Sequence, residues 1–422
     1  MNKRMNNRNH DAAVSGRRRF LKNSALGMLA LNLRCGALGE AGLFINAVDP
    51  SEGQLQWGGM YIMESAPGPV TTINGRPYLY FGGTGYYALH GHPELVAAAV
   101  AAVKKYGVHP GTSRSGFGNN PVLLEVEKRI ADYFGVEDAF YFVSGYLGTL
   151  VLVQTLKDKY DVIVMDETAH FSVKDGVYST RKKVLTFKHR DPQDLKRILR
   201  QDLKPGERPL LCTDGIFPTF GVIAPVPEYL EALKPYGGLI VLDDAHSVGV
   251  LGPNGRGTYD HYGLKGDNLY FCGTLSKAFG GEGGFICGSK EFIEQAKLTT
   301  GVYSGATPTG NATAAAAAKG VELVKSHPEM RDRLRRNVKL VKAGLQKLGF
   351  PMSDPPVPIV TWSLKSADEM LRVHRALMDR GIVVPYSRYV GAPAGGVLRA
   401  SIFSEHTEAQ ISRLLTELKS LL

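Results

Sequence analysis

The chain has 422 residues, 44% of them hydrophobic, with 50 Lys and Arg against 40 Asp and Glu and a net charge of +10. This composition excludes a mainly disordered, collagen-like or polytopic membrane protein, and a chain of this length buries a core without staples. The four cysteines (Cys35, Cys212, Cys272, Cys287) form no CxxC pair and no His/Cys cluster, which argues against a disulfide framework or a metal site.

Half of the charge sits at the start. Residues 1–50 hold eight Lys or Arg and three acids; the other 372 residues hold 42 and 37, too even a balance to suggest nucleic-acid binding. Within 1–40, Arg17-Arg18-x-Phe20-Leu21-Lys22 precedes a short apolar run, residues 23–33. Charge followed by a short apolar run is the order of an export signal, and the run is too short to span a bilayer. The pair resembles the twin-arginine signal, with Gly16 where Ser or Thr is usual. Ala37-Leu38-Gly39 is a small-x-small cleavage site, whereas Arg34 before Cys35 disfavours a lipoprotein. The expectation is an exported, periplasmic protein with no stable transmembrane span in its mature form. The alternative is a cytoplasmic protein with an uncleaved leader.

After an N-terminal segment (41–92), Pro93–Tyr106 has helical spacing. Short apolar runs then alternate with helical segments. The runs are Ala139–Val143, Asp161–Asp166, Pro209–Asp214, Gly238–Asp243, Asn268–Gly273 and Gly283–Gly288. Between several of them lie the helical segments Gly145–Lys157, Asp191–Leu203 and Val226–Tyr236. Continuous apolar runs mark strands covered on both faces, so the pattern predicts an α/β domain over 93–310 with a mostly parallel sheet. Thr309–Lys325, Pro328–Leu348, Ala367–Arg380 and Thr407–Leu422 read as helices. Ile359–Ser363, Gly381–Pro385 and Val397–Ile402 read as strands. Residues 311–422 are expected to form a smaller α+β domain.

Chemistry concentrates at the predicted strand ends. One run closes on Asp243-Asp244-Ala245-His246. Acids there lie where α/β proteins bind ligands, and a carboxylate in that place can keep a pyridine nitrogen protonated. His246 can reach the hydroxyl of the same ring. A second strand ends at Thr274, followed by Ser276-Lys277 and a glycine-rich stretch. A lysine in such a pocket forms a Schiff base if burial lowers its pKa. In Val143-Ser144-Gly145-Tyr146 a strand gives way to a helix start, whose N–H groups suit phosphate. His170 follows another strand end and could stack on a planar ring.

In this order the strings F-V-S-G-Y, D-E-T-A-H-F-S, V-L-D-D-A-H-S-V-G-V-L-G-P-N-G-R-G and G-T-L-S-K-A-F-G-G-E-G-G resemble the α-oxoamine synthase family of fold-type-I pyridoxal-phosphate enzymes, over roughly residues 75–422. The resemblance implies pyridoxal 5'-phosphate as cofactor and Lys277 as its Schiff-base lysine. Asp243 would pair with the ring nitrogen, His246 would contact the phenolic oxygen and His170 would stack on the ring. Gly145, Tyr146, Thr274 and Ser276 would hold the phosphate, and Arg399 would bind the substrate carboxylate. It also implies a homodimer, with Ser304 reaching the phosphate of the neighbouring chain. The implied reaction condenses an amino acid with an acyl thioester and releases carbon dioxide. Transamination, racemisation or elimination on the same cofactor is the alternative, and a binding protein with a vestigial site is the non-enzymatic one. The chain departs from the family pattern at Thr84-Gly85-Tyr86-Tyr87-Ala88, Leu123, Pro218 and Gly305; in the family it resembles, most of these positions lie around substrate rather than cofactor.

Overall fold

The computed structural model describes residues 60–353 and 355–422. The expected leader, with Arg17, Arg18, Cys35 and the candidate site at Ala37-Leu38-Gly39, lies outside the described residues.

Residues Tyr61–Leu422 form one compact unit. It opens with β1 (Val70–Ile73) and β2 (Arg76–Tyr80), a hairpin turned at Asn74-Gly75. Both turn residues have positive φ, 49° and 74°, the geometry that Asn-Gly supplies at least cost. Helices α1 (Pro93–Tyr106) and α2 (Pro121–Phe134) follow. The alternating stretch runs β3 (Asp138–Phe142), α3 (Gly148–Thr155), β4 (Val162–Asp166), α4 (Phe171–Tyr178), β5 (Lys183–Phe187), α5 (Pro192–Asp202) and β6 (Pro209–Asp214). A small ribbon, β7 (Ile216–Phe217) and β8 (Val222–Ile223), leads to α6 (Val226–Leu233), β9 (Leu239–Asp243), α7 (Thr258–Tyr262), β10 (Leu269–Thr274) and β11 (Gly284–Gly288). The chain continues through α8 (Lys290–Thr299), α9 (Gly301–Gly305), α10 (Asn311–Ser326) and α11 (Glu329–Lys347). It ends with β12 (Ile359–Trp362), α12 (Ala367–Asp379), β13 (Ile382–Val383), β14 (Tyr386–Ser387), β15 (Val397–Ser401) and α13 (Glu408–Lys419).

Among the described residues the main sheet has seven strands in the order β3-β11-β10-β9-β6-β4-β5. Only β11 runs against its neighbours, so the sheet is mostly parallel, as the continuous apolar runs indicated. Both faces are covered. Ile163, Met165, Leu210, Cys212 and Val241 pack into one core, while the alternating Val164, Leu211, Ile240 and Leu242 pack into the other. A period of two with both sets buried makes each run read as unbroken hydrophobics. Helix α10 packs on α1 and α2. A separate sheet, β12-β15-β14, carries Arg399 in its central strand, and β13 pairs in parallel with β2.

One buried ion pair braces the layer behind the site. The Arg114 guanidinium grips Glu127 of α2 with two contacts, 2.5 and 2.9 Å, and donates to the Tyr141 carbonyl at 3.1 Å. Glu127 in turn accepts the Tyr141 N–H at 3.0 Å. Both side chains are almost fully buried. Removing Arg114 leaves the buried Glu127 with only the longer 3.8 Å cation contact, to Lys297, among the described residues. Arg114→Ala is therefore expected to lower unfolding stability by about 3–5 kcal/mol, measured as a shifted urea midpoint with an unchanged slope.

Candidate active site

The parallel strands β4, β6 and β9 all end in an aspartate: Asp166, Asp214 and Asp243. Asp214 and Asp243 are register partners across the β6–β9 pairing, so two buried carboxylates lie side by side at the carboxyl edge. Burial first, and then the Asp243 charge, push the Asp214 acid well above the ordinary carboxylate range. Asp243 accepts the Ala245 N–H on Oδ1 at 3.2 Å and the Ser172 O–H on Oδ2 at 2.9 Å. Its neighbour Asp244 has a different job. It accepts the Thr258 N–H at 2.7 Å and the Thr258 hydroxyl at 2.5 Å, which fastens the Gly-rich loop after β9. Burial pushes Asp244 up to about 6 against the pull of those bonds.

Lys277 follows β10 in a tight turn. Leu275 N–H donates to the Gly283 carbonyl at 2.9 Å, and Gly280 N–H to the Lys277 carbonyl at 3.2 Å. Position 283 must be glycine: its φ is 95°, and a Cβ would meet the Tyr141 ring at 2.4 Å. His90 Nε2 lies 3.0 Å from the Ser276 carbonyl, just ahead of the lysine. Among the described residues Nζ of Lys277 has no hydrogen bond or ion pair. Burial lowers its pKa, Asp243 and Asp214 oppose that, and Arg399 adds to it. The free amine is thus more accessible than on a surface lysine.

His246 is buried with Nδ1 2.7 Å from the Tyr86 hydroxyl. Burial, then Lys277 and Arg399, hold it well below the ordinary histidine pKa. With Tyr86 as the donor to Nδ1, the ring proton sits on Nε2, where it can be offered to an oxygen. His170 is the N-terminal cap of α4. Its N–H donates to Asp214 Oδ2 at 2.9 Å. Its Nδ1 lies 2.6 Å from Ser172 Oγ, and its Nε2 lies 2.6 Å from the Tyr389 hydroxyl.

The phosphate candidates meet where β3 and β10 end. A Cβ on Gly145 would fall 2.6 Å from Thr274 Cβ, so only glycine allows this approach. Thr274 Oγ1 and Ser276 Oγ are 2.8 Å apart, and Ser144 Oγ caps the Tyr146 N–H at 3.3 Å. The Tyr146 side chain turns away to Asp175 at 2.5 Å. Ser304 is not part of this group: it is exposed, and its carbonyl accepts the Ser115 hydroxyl at 3.3 Å.

Arg399 enters from β15. Its Nε donates to the Pro218 carbonyl at 2.8 Å and its Nη1 to Ser401 Oγ at 3.0 Å. Its Nη2 has no hydrogen-bond partner among the described residues. Burial lowers its pKa, while Tyr86, Tyr389 and Tyr80 oppose the shift. Three of the departures from the family pattern have a definite place in the fold, and no atom within 4 Å of a Cβ placed on Gly305 explains the glycine there. Pro218 lends its carbonyl to Arg399. Leu123 is a fully buried residue of α2. Gly85 makes room for His90, whose ring a Cβ there would meet at 2.8 Å.

Sequence reasoning missed Asp214, Ser172, Tyr389 and the contact made by Tyr86. Asp214 closes an apolar run just as Asp243 does, so the same rule would have found it. Ser172 stands two residues after His170, as a capping neighbour can. Nothing in the sequence joins Tyr389 to His170, 219 residues away.

The donors fit pyridoxal 5'-phosphate. A lysine amine without a partner faces a buried carboxylate, a neutral histidine stands beside them, and a glycine-walled hydroxyl pair lies at a helix start. Among the described residues no cluster suits a metal ion. The protein family described as aminotransferase class I and II matches residues 83–418. An 8-amino-7-oxononanoate synthase of Lysinibacillus sphaericus is 33% identical over 352 residues, 83% of this chain and 90% of that protein. A serine palmitoyltransferase from S. paucimobilis, solved with pyridoxal phosphate and myriocin bound, superposes with a TM-score of 0.81 at 30% identity. That match covers 86% of this chain and 92% of the other. The serine palmitoyltransferase of Sphingomonas wittichii gives 0.82 at 26% identity, over 91% and 98%.

Proposed function

The chain belongs to the aminotransferase class I and II family, and within it to the α-oxoamine synthases, and from that premise we propose that it condenses an amino acid with an acyl thioester to give an α-amino ketone. The observation that carries this reading is the grouping of Lys277, Asp243, His246 and Arg399, close enough for their charges to act on one another. When bound, pyridoxal phosphate supplies an electron sink for a carbanion at the substrate Cα. Arg399 offers its open Nη2 edge to the amino-acid carboxylate. Lys277, with its pKa lowered by burial, accepts the Cα proton. With the cofactor bound, Asp243 would keep a proton on the ring nitrogen and His246 would offer an Nε2 proton to the ring oxygen. The C–C bond forms as the C–S bond breaks and thiol leaves. The bond to the carboxylate then breaks, carbon dioxide leaves, and a proton returns to Cα. The test is a screen of amino acids against acyl thioesters. Thiol and carbon dioxide should appear in equal amounts; amino-acid turnover without thiol release would point to transamination, racemisation or elimination and overturn the reading.

The reading has two further parts, one resting on the sequence and one on exposed surface. Residues 1–40 act as a twin-arginine leader that delivers the folded, cofactor-loaded protein to the periplasm. The support is the Arg17-Arg18-x-Phe20-Leu21-Lys22 string and the short apolar run after it. Replacing both arginines by lysine should hold the protein in the cytoplasm, read by fractionation; undiminished export would refute the assignment. The enzyme is also a homodimer. Val96, Val100 and Val103 form an exposed apolar stripe along α1, and Phe117 is 96% exposed beside the Ser115–Ser304 contact. A monomer needs cover for such a surface. Sedimentation should give about twice the chain mass, and a monomeric mass at micromolar concentration would rule the dimer out.

A further inference from the structure

Arg399 and Ser401 stand two residues apart on β15, so their side chains leave the strand on the same face. Ser401 is fully buried, and its hydroxyl lies between two groups whose roles are fixed. A guanidinium only donates, and a peptide carbonyl only accepts. Arg399 Nη1 therefore donates to Ser401 Oγ at 3.0 Å, and Ser401 Oγ donates to the Gly83 carbonyl at 2.5 Å. Nη1 also reaches that carbonyl at 3.4 Å, and Nε donates to the Pro218 carbonyl at 2.8 Å. Three of the five guanidinium N–H groups are thus spent on the protein, and the other two are both on Nη2.

The acceptor at Gly83 is itself held in place. Its segment is laced to the chain at the end of β15. Ser401 N–H donates to the Phe81 carbonyl and Ser404 N–H to the Tyr86 carbonyl, both at 2.8 Å, and His406 Nε2 lies 3.0 Å from the Tyr80 carbonyl. Gly83 has a φ of 68°, a turn that glycine makes without strain. The same segment carries Tyr86, whose hydroxyl lies 2.7 Å from His246 Nδ1. One stretch of backbone therefore sets both the arginine and the histidine.

We propose that Ser401 is a positioning residue that fixes Arg399 with Nη2 as its open edge, and so sets how strongly the site prefers an α-amino acid over the amine that lacks the carboxylate. The proposal deepens the condensation reading and rests on it for placing the substrate carboxylate at Arg399. One contact at Nε leaves the guanidinium plane free to swing about it. The second contact, at Nη1, fixes the plane. Arg399 is then ordered before substrate arrives, and binding does not have to supply that order.

The test compares acid and amine on the full-length, cofactor-loaded protein. Glycine is titrated against methylamine, L-alanine against ethylamine and L-serine against ethanolamine, with binding read from the change in cofactor absorbance. The readout is the Kd of the amine divided by that of the amino acid, for the pair with the largest ratio in the unaltered protein. A ratio near one for every pair overturns the proposal. In Ser401→Ala the ratio should fall about 10-fold, through weaker amino-acid binding and with the Kd of the amine unchanged. A residue that only packs would lower the melting temperature and leave the ratio alone, and that result overturns the proposal. Arg399→Lys should lower the ratio further; an unchanged ratio there removes the carboxylate from Arg399 and takes the proposal with it. Should Ser401→Ala fail to fold, Ser401→Cys decides. Sulfur keeps the shape but hydrogen-bonds weakly, so the ratio should still fall, and an unchanged one overturns the proposal. Thiol release is read in none of these titrations, so a failure of the condensation reading shows separately.

Discussion

Lys277→Ala is expected to lower kcat by at least about 10³-fold while leaving the fold intact. The lysine lies near enough to Asp243 and Asp214 at the carboxyl edge of the sheet to feel their charge, and no hydrogen bond among the described residues holds its Nζ. Its loss removes both the covalent anchor for a carbonyl cofactor and the base for the Cα proton. Borohydride reduction followed by peptide mass spectrometry should find the cofactor on Lys277 in the unaltered protein and on no lysine in the variant. Methylamine should restore a small part of the activity, because a free amine can replace the base but not its placement. Lys277→Arg should fail equally, since guanidinium stays protonated. The depressed pKa gives a second readout. A lysine that binds its proton less tightly when folded makes the protein more stable as pH rises toward the unfolded lysine pKa. That rise should vanish in Lys277→Ala, measured as melting temperature between about pH 8 and 10. Full activity in the alanine variant would remove the site from this cleft altogether.

The sequence revealed what depends on local pattern. The strands β4, β6 and β9 are buried on both faces, so their apolar runs are unbroken and easily seen. Their ends carry the acids, and Lys277 follows β10 within a glycine-rich turn, so the inner half of the site was readable along the chain. The β1–β2 hairpin was missed although Asn74-Gly75 marks its turn, because residues 41–92 carry little other pattern. Helix α2 was missed too, despite its cap at Asn120, Pro121 in the first turn and Gly135 at the end. What could not be read is what tertiary packing assembles. Arg114 and Glu127 are 13 residues apart and look like ordinary surface charges until both are buried. Tyr389 and Arg399 lie in and beside the last small sheet and reach the cleft only because that sheet packs there. The Gly85 and His90 pair is of the same kind: a missing side chain and a large one fit together in three dimensions, and neither marks the other in sequence.

Asp243→Asn should separate activity from stability in one substitution. The amide keeps the shape, and its oxygen can still accept the Ala245 N–H, while its NH2 can donate to Ser172 Oγ in place of accepting from it. What it loses is the charge that would hold a proton on the ring nitrogen. Deleting a preorganised electrostatic partner of this kind costs about 10²–10³-fold in kcat, and that is the expected loss, with weaker cofactor retention on gel filtration. Stability should move the other way. Asp214 lies beside Asp243, and burial together with the Asp243 charge raises its pKa. An acid whose folded pKa exceeds its unfolded value binds protons more tightly when folded, so stability falls as pH rises from about 4 through the raised value. Removing the neighbouring charge lowers the Asp214 pKa toward normal and shrinks that fall. Melting curves of the cofactor-free protein at pH 5 and pH 8 should therefore differ less in Asp243→Asn than in the unaltered chain. An equal or larger difference would show that Asp243 does not bear on Asp214. The carboxylate that chemistry needs is thus one the empty fold holds at a cost. A cationic ring nitrogen placed against Asp243 would relieve that cost, which ties the binding of the cofactor to the stability of the strand ends that hold it.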